Sequence, residues 1–139
     1  VYGPRQNPHG EAGVVSIFSK NILERRQPVI NGDGKQTRDY VYVDDVVEAN
    51  MLALNVDVSG FFNIGTGIET DVNRIFWLVN KNFATSWQEA HGPARAGEQK
   101  TSSLLYRKAE EGLGWKPIVE LEEGINKTVK WFKQNPGRV

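Results

Sequence analysis

Apolar residues recur every three or four positions in five stretches of the chain, the spacing typical of helices with one buried face. The first helix is predicted from Val14 to about Arg26, because Pro28 cannot continue a helix. In this helix we expect Phe18 to face the core and Ser16 to face solvent. The other four helices are predicted after Asp45, after Asp71, over 106–111 and over 121–133.

Shorter apolar segments predict strands between these helices. Residues 38–43 alternate in character, which places Tyr40 and Tyr42 on one face of a strand. Residues 61–64 form an apolar run typical of a buried strand. Weaker strand signals occur at 29–30 and 87–90.

Turn and cap residues mark the boundaries of these elements. Residues 3–13 are rich in proline and glycine and are predicted to form a loop. Asp45 followed by Glu48 resembles a capping box, so we expect Asp45 to cap the second helix. Either Thr70 or Asp71 is the expected cap of the third helix.

The succession of strands and helices predicts an α/β or α+β fold. No repeat, low-complexity tract or long linker divides the chain, so residues 1–139 are predicted to form a single domain. The opening Val1-Tyr2-Gly3-Pro4 is typical of a strand end running into a turn. We therefore expect the chain to be part of a longer protein.

Composition excludes several classes of function. The chain has 17 Lys and Arg against 17 Asp and Glu, so its overall charge does not favour nucleic acid or an anionic membrane. It has no cysteine, which excludes a disulfide framework and a cysteine nucleophile. No apolar run approaches the roughly 20 residues that span a bilayer. We expect a cytoplasmic protein without nucleic-acid or membrane partners.

Glycine-rich turns and paired acids are the first candidates for chemistry. Gly-x-Gly occurs at 32–34, 65–67 and 112–114, and each time the third glycine of a dinucleotide fingerprint is missing. We interpret these segments as turns. Asp44-Asp45 could form a catalytic pair, although helix capping is the simpler role.

Arginines in loops are candidates for binding an anion. Arg38 follows a glycine-rich loop, and Arg95 precedes Glu98 by three positions. A guanidinium can bind phosphate through two hydrogen bonds, and a carboxylate can accept from ribose hydroxyls. Surface ion pairing remains the simpler alternative. The two histidines, His9 and His91, are expected in exposed loops, and no metal site is predicted.

Six segments follow one another in an order and spacing that characterise one enzyme family. The most specific is Gly-Asp-Gly-Lys-Gln-Thr-Arg-Asp-Tyr-Val-Tyr-Val-Asp-Asp-Val at 32–46. The others are Val-Tyr-Gly-Pro-Arg-Gln at 1–6, Phe-Asn-Ile-Gly-Thr-Gly at 62–67, Ala-Arg-Ala-Gly-Glu at 94–98, Leu-Gly-Trp-Lys-Pro at 113–117 and Leu-Glu-Glu-Gly-Ile at 121–125. Together they resemble the nucleotide-sugar epimerases of the extended short-chain dehydrogenase/reductase family. The resemblance implies the C-terminal, substrate-binding portion of an extended Rossmann-type epimerase.

The same resemblance implies roles for eight residues in binding a UDP-sugar. Arg38 falls on the arginine that contacts the diphosphate, and Arg95 falls on a second phosphate-contacting arginine. Glu98 falls on the acid that holds the ribose hydroxyls. Val14 and Val15 fall at a helix start that approaches the phosphates. The residues that fall along the base are Val29, Ile30 and Asn31.

Two hallmarks of the family are missing from the chain. Neither the catalytic Tyr-x-x-x-Lys nor the glycine-rich NAD loop occurs in the sequence. The resemblance therefore implies that an N-terminal half binds NAD, that the full-length enzyme is a homodimer, and that this chain alone has no catalytic residue and is inactive. A sister 4,6-dehydratase, a decarboxylase and a non-catalytic nucleotide-sugar-binding module remain open as alternatives.

Overall fold

A computed structural model describes residues 1–9 and 13–138, so part of the loop predicted over 3–13 lies outside the described residues. The helices are α1 (Val14–Leu23), α2 (Val43–Asn55), α3 (Val72–Phe83), α4 (Arg107–Leu113) and α5 (Leu121–Gln134), with a short 3-10 helix at Pro136–Arg138. The strands are β1 (Ile30–Asn31), β2 (Thr37–Asp39), β3 (Glu69–Asp71) and β4 (His91–Gly92). The predicted mixture of helices and strands is confirmed.

The strands are short and form two separate pairs. β1 lies parallel to β4, with Ile30 opposite His91, and β2 lies antiparallel to β3, with Arg38 opposite Thr70. A single parallel bridge joins Tyr2 to Tyr42. Within the described ranges, none of the helices is both long and apolar enough to cross a membrane.

Two apolar clusters hold the fold together. The first lies between α1, α3 and α5, where the rings of Phe18 and Phe76 meet edge to face at 5.8 Å. The second surrounds Trp115 and is formed largely by α2 and α4. Tyr40 and Tyr42 pack with the first cluster and Val41 with the second, as the alternation of the sequence predicts. Val43, expected on the same face as Val41, packs with the first cluster instead, because helix α2 begins there.

The first helix departs from its prediction in length and in its buried face. It ends at Leu23, and Arg25 then adopts a left-handed φ of 57°, which a continuing helix does not allow. Ser16 was expected in solvent but is fully buried. Its hydroxyl donates a hydrogen bond to the carbonyl oxygen of Gly13 at 2.8 Å, and this bond offsets the cost of burial.

The predicted capping box at Asp45 is wrong. Helix α2 begins at Val43 without a side-chain cap, so Asp45 lies inside its first turn and is 4% exposed. The Asp45 carboxylate instead accepts hydrogen bonds from the backbone N–H groups of Ile118 at 3.2 Å and Val119 at 3.1 Å. The carboxylate is thus used in joining distant segments, and a catalytic pair at Asp44-Asp45 receives no support.

The strand predictions are corrected at three places. Residues 61–64 form no strand, and Phe61 is 95% exposed. The strand predicted over 38–43 is β2 and stops at Asp39, because α2 already begins at Val43. The signal at 87–90 corresponds to β4, which lies just beyond it.

Strand β3 is short and was not predicted, and it ends at Asp71. The carboxylate of Asp71 caps α3 as expected, because it accepts a hydrogen bond from the N–H of Arg74 at 2.7 Å.

Candidate functional site

A cavity of about 500 Å³ opens between the start of α1, strands β1 and β2, and the loop at 95–98. Its volume falls within the range of small-molecule sites. All eight residues that the resemblance singles out line this cavity, namely Val14, Val15, Val29, Ile30, Asn31, Arg38, Arg95 and Glu98. Residues far apart in the sequence therefore meet at one place.

Arg38 is held in position by backbone carbonyls. Its Nη1 donates hydrogen bonds to the carbonyl oxygens of Thr37 and Gln99, each at 2.7 Å. Its Nη2 lies 3.6 Å from Oε1 of Glu98, too long for a hydrogen bond but within ion-pair range. The guanidinium is therefore oriented before any ligand arrives, and among the described residues one carboxylate, that of Glu98, lies within ion-pair range of it.

The loop that carries Arg95 and Glu98 turns back toward β2. The N–H of Glu98 donates to the carbonyl oxygen of Arg95 at 3.3 Å, and Gly97 adopts a left-handed φ of 76° in this turn. The N–H of Thr37 donates to the carbonyl oxygen of Lys100 at 2.8 Å, which ties the loop to β2. The turn thus places Arg95 and Glu98 at the same cavity as Arg38.

Helix α1 presents its N-terminal end to the cavity. Gly13 is its N-cap residue, with extended φ and ψ of −70° and 145°, and there is no side-chain cap. Gly13, Val14 and Val15 all line the cavity. The positive end of a helix favours an anion, so this end adds to the positive field of the two arginines.

Asp39 also lines the cavity, but its carboxylate is occupied by protein donors. It accepts from the N–H and hydroxyl of Thr66 at 2.8 and 2.7 Å, from the N–H of Gly67 at 2.9 Å and from that of Leu104 at 3.1 Å. Burial favours a raised pKa for Asp39, yet these hydrogen bonds prevail and hold the pKa below its ordinary value. Asp39 is therefore a structural anion that fixes the loops behind Arg38.

One wall of the cavity is built on β1. Ile30 is fully buried and its N–H donates to the carbonyl oxygen of Ala90 at 2.8 Å. The carbonyl oxygen of Asn31 accepts from Nε2 of Gln36 at 3.0 Å. Val29 is about half exposed and Asn31 partly exposed at the cavity surface. The β1 side of the cavity is thus largely apolar with an amide at one end, and such a surface suits the face of a heterocyclic base.

Sequence reasoning did not assign five of the polar residues that line the cavity, namely Tyr2, Gln6, Gln36, Asp39 and Tyr40. Gln36 and Tyr40 lie two positions on either side of Arg38, and all three reach the same cavity. Period-two spacing around Arg38 was the signal that could have found them. Burial raises the pKa of the Tyr40 hydroxyl to about 12, so this phenol stays neutral and does not repel an anion.

The three Gly-x-Gly turns are the places where a dinucleotide loop could form. Among the described residues, none of the three forms such a loop. The N–H groups of Thr66 and Gly67 already bind Asp39, and the 112–114 segment ends α4. At the 32–34 turn, a Cβ on Gly34 would meet Oδ1 of Asn73 at 1.8 Å, so this glycine is packed against protein. None of the three Gly-x-Gly turns among the described residues therefore presents free N–H groups around an open loop for a pyrophosphate.

Residues 1–65 match the sequence profile of the NAD-dependent epimerase/dehydratase family. Among the relatives of the chain is the UDP-glucose 4-epimerase of Mycolicibacterium smegmatis, 47% identical over 96% of this chain and 43% of that protein. The crystal structure of Thermotoga maritima UDP-glucose 4-epimerase with UDP-glucose has a TM-score of 0.92 and 48% identity, over 97% of this chain and 44% of that one. Human dTDP-D-glucose 4,6-dehydratase is 34% identical over 97% of this chain and 40% of its own length.

These matches confirm the resemblance to nucleotide-sugar epimerases and the Rossmann-type epimerase fold. The chain spans less than half the length of the relatives that it matches. The similarity to UDP-glucose 4-epimerases is therefore a similarity to one part of those enzymes.

Proposed function

We propose that the chain binds the nucleotide end of a UDP-sugar within an NAD-dependent UDP-glucose 4-epimerase. The observation that carries the proposal is the convergence of Arg38, Arg95, Glu98 and the start of α1 on one cavity. The neighbouring wall at β1 suits a planar base. A nucleotide diphosphate has the charge and shape that this combination of groups recognises.

Each group has a separate task in this proposal. The diphosphate lies between Arg38, Arg95 and the positive end of α1, which together offset its charge. Glu98 accepts hydrogen bonds from the ribose hydroxyls and, at 3.6 Å, also balances Arg38. The base lies along β1, beside Asn31. Such binding energy, gained far from the reacting carbon, positions the sugar for reaction.

The chain itself contributes binding rather than bond making. Among the described cavity residues, burial raises the pKa of the hydroxyls of both Tyr2 and Tyr40, so neither is suited to accept a proton near neutral pH. We assign the redox step and the catalytic Tyr-x-x-x-Lys to a separate half of the parent enzyme that binds NAD. The family resemblance extends the proposal to a cytoplasmic homodimer for that enzyme.

A sister 4,6-dehydratase is the second candidate, because human dTDP-D-glucose 4,6-dehydratase aligns over nearly the whole chain. Its nucleotide carries thymine in place of uracil. Titrations with UDP-glucose, UDP-N-acetylglucosamine and dTDP-glucose separate the two candidates. We expect UDP-glucose to bind most tightly, and a clear preference for dTDP-glucose would favour the dehydratase.

Replacing Arg38 tests the cavity directly. In Arg38→Ala we expect UDP-glucose to bind about tenfold to hundredfold more weakly, the scale of a hydrogen bond to a charged group. Isothermal titration calorimetry measures this change. Arg107→Ala is the matched control, because Arg107 is 75% exposed, lies outside the cavity lining and pairs with Glu111 on α4. Equal losses in the two variants, or no loss in Arg38→Ala, would contradict the proposed site.

A further inference from the structure

A chain of hydrogen bonds runs from the surface of α3 to the turn behind the β1 wall. The indole Nε1 of Trp77 donates to Oε1 of Glu89. The other carboxylate oxygen of Glu89 lies 3.3 Å from Nε2 of His91. Nδ1 of His91 lies 2.8 Å from the carbonyl oxygen of Gly32. Because Trp77 anchors one oxygen of Glu89, the carboxylate is held toward the histidine.

The last residue of this chain of contacts adjoins the cavity. Gly32 directly follows Asn31, and its N–H donates to the carbonyl oxygen of Gly92 in β4 at 3.0 Å. Gly32 has a left-handed φ of 67°, so it forms the turn that ends the β1 wall. The turn is therefore held at both backbone groups of Gly32. The carbonyl oxygen of Gly32 is bound by the His91 ring, and the N–H of Gly32 is bound by β4.

We propose that His91 is a positioning residue that holds the β1 wall of the nucleotide cavity and makes nucleotide affinity depend on pH. The inference rests on the proposed function, because it concerns the affinity of the same cavity. The resemblance to the epimerase family assigns no role to this position.

The two partners of His91 explain why its protonation matters. A backbone carbonyl and a carboxylate are both acceptors, and a neutral imidazole carries only one N–H. The imidazolium form donates to Gly32 and Glu89 together. The neutral form that keeps the hydrogen bond from Nδ1 to Gly32 has a lone pair on Nε2, which faces the Glu89 carboxylate. The lone pair and the carboxylate repel each other, and this repulsion weakens the hold of the ring on Gly32.

The surroundings of His91 favour the protonated form. The hydrogen bond to the Gly32 carbonyl raises the pKa of His91, as do the hydrogen bond to and the charge of Glu89. Asp33, in the turn after β1, adds a second negative charge, while α3 contributes the uncharged Trp77. A raised pKa means that the stabilisation is complete below the ordinary histidine pKa and is lost as pH rises through the raised value.

Protonation of His91 and binding of the ligand then affect each other through thermodynamic linkage. A base bound along β1 orders this wall, and the ordered wall strengthens the hydrogen bond from the His91 imidazolium to the carbonyl oxygen of Gly32. Ligand binding must therefore raise the pKa of His91, and protonation must tighten binding by the same factor.

The test is the affinity of the protein for UDP-glucose at two pH values. This ligand is a diphosphate diester, so its charge stays constant over the range. We expect binding to be roughly threefold to fivefold tighter at about pH 6 than at about pH 8, the scale of an exposed ion pair. An NMR titration of the His91 ring should give a higher pKa with UDP-glucose than without it.

Three variants separate positioning from a general structural effect. His91→Asn keeps a donor for Gly32 but does not titrate, so its affinity should be the same at both pH values. In Glu89→Gln the pH midpoint of binding should move to lower pH. His9→Asn is the matched control, because His9 is the other histidine and contacts Lys20 instead; it should keep the wild-type profile.

The outcomes distinguish this inference from the function on which it rests. UDP-glucose binding that is equal at both pH values, or a pH dependence that survives in His91→Asn, overturns the role of His91 and leaves the proposed function standing. No binding of UDP-glucose at either pH overturns the proposed function and this inference together.

Discussion

At the scale of single residues, the candidate site consists of charges whose partners are already fixed. Arg38 is oriented by two carbonyl oxygens, and Asp39 by donors from two loops. Both adjacent residues are thus committed to hydrogen bonds that define the cavity wall. Preorganisation of this kind lowers the cost of binding a ligand, because little side-chain freedom remains to be lost.

Asp39→Asn tests how much the Asp39 cluster stabilises the fold. We expect a loss of about 1–2 kcal/mol in the free energy of unfolding near pH 7, reduced from the usual value by partial exposure. The lowered pKa of Asp39 makes its contribution present above its unfolded pKa and lost as pH falls through the folded value. Urea denaturation should therefore show a weaker acid dependence in the variant than in the wild type.

Asp57→Asn is the control for that experiment, since Asp57 lies exposed after α2. It should keep both the stability and the acid dependence of the wild type. An Asp39→Asn protein as stable as the wild type at neutral pH would show that the four donors find other acceptors.

At the scale of elements, the helices could be predicted from the sequence and the strands largely could not. The spacing of apolar residues along α3 and α5 reports a buried face directly, since that face is local to the helix. Strands such as β1 and β4 pair across about 60 residues, which a local pattern does not encode. The capping prediction at Asp45 failed for the same reason, because Ile118 and Val119 lie far away in sequence.

The site shows the same division. Loop position alone made Arg38, Arg95 and Glu98 candidates for a nucleotide site but left surface ion pairing as the simpler alternative. The roles of the eight predicted residues came from motif resemblance, and the structure places all eight at one cavity. The period-two neighbours Gln36 and Tyr40 were within reach of a strand argument but were not drawn from it. The chain of hydrogen bonds through Glu89 and His91 depends on the pairing of β1 with β4, so it could not be predicted from the sequence.

The N-terminal cap of α3 is the element-scale test. Asp71→Ala removes the acceptor for the N–H of Arg74, which it binds at 2.7 Å. We expect a loss of about 1 kcal/mol in the free energy of unfolding, while Asp71→Asn should lose clearly less because it keeps an acceptor. Thermal denaturation followed by circular dichroism measures both. Equal losses in the two variants would contradict a capping role.

At the scale of the whole molecule, three apolar side chains on one face of α2 lie open to solvent. Val47 is 53% exposed, Met51 50% and Leu54 79%, at the spacing of one helical face. An apolar face of this kind is unusual on a free monomer. It agrees with our proposal that the chain acts within a longer enzyme, whose other half supplies NAD and the catalytic residues.

The 139-residue chain tested alone should bind UDP-glucose and convert none of it to UDP-galactose. The reason is that the phenol of Tyr40 stays neutral, while the cavity carboxylates are already engaged, Asp39 by backbone and hydroxyl donors and Glu98 by Arg38. A coupled assay with added NAD measures conversion, with a full-length UDP-glucose 4-epimerase as the positive control. Detectable turnover by the chain alone would contradict the proposed division of labour.

The segment Tyr40–Tyr42 has a consequence for how the chain unfolds. Tyr40 and Tyr42 belong to the cluster of α1, α3 and α5, while Val41 between them belongs to the cluster around Trp115. One extended segment thus forms a shared wall of two compartments. Neither compartment can open without removing a side of the other, so melting should be a single cooperative event rather than two successive ones.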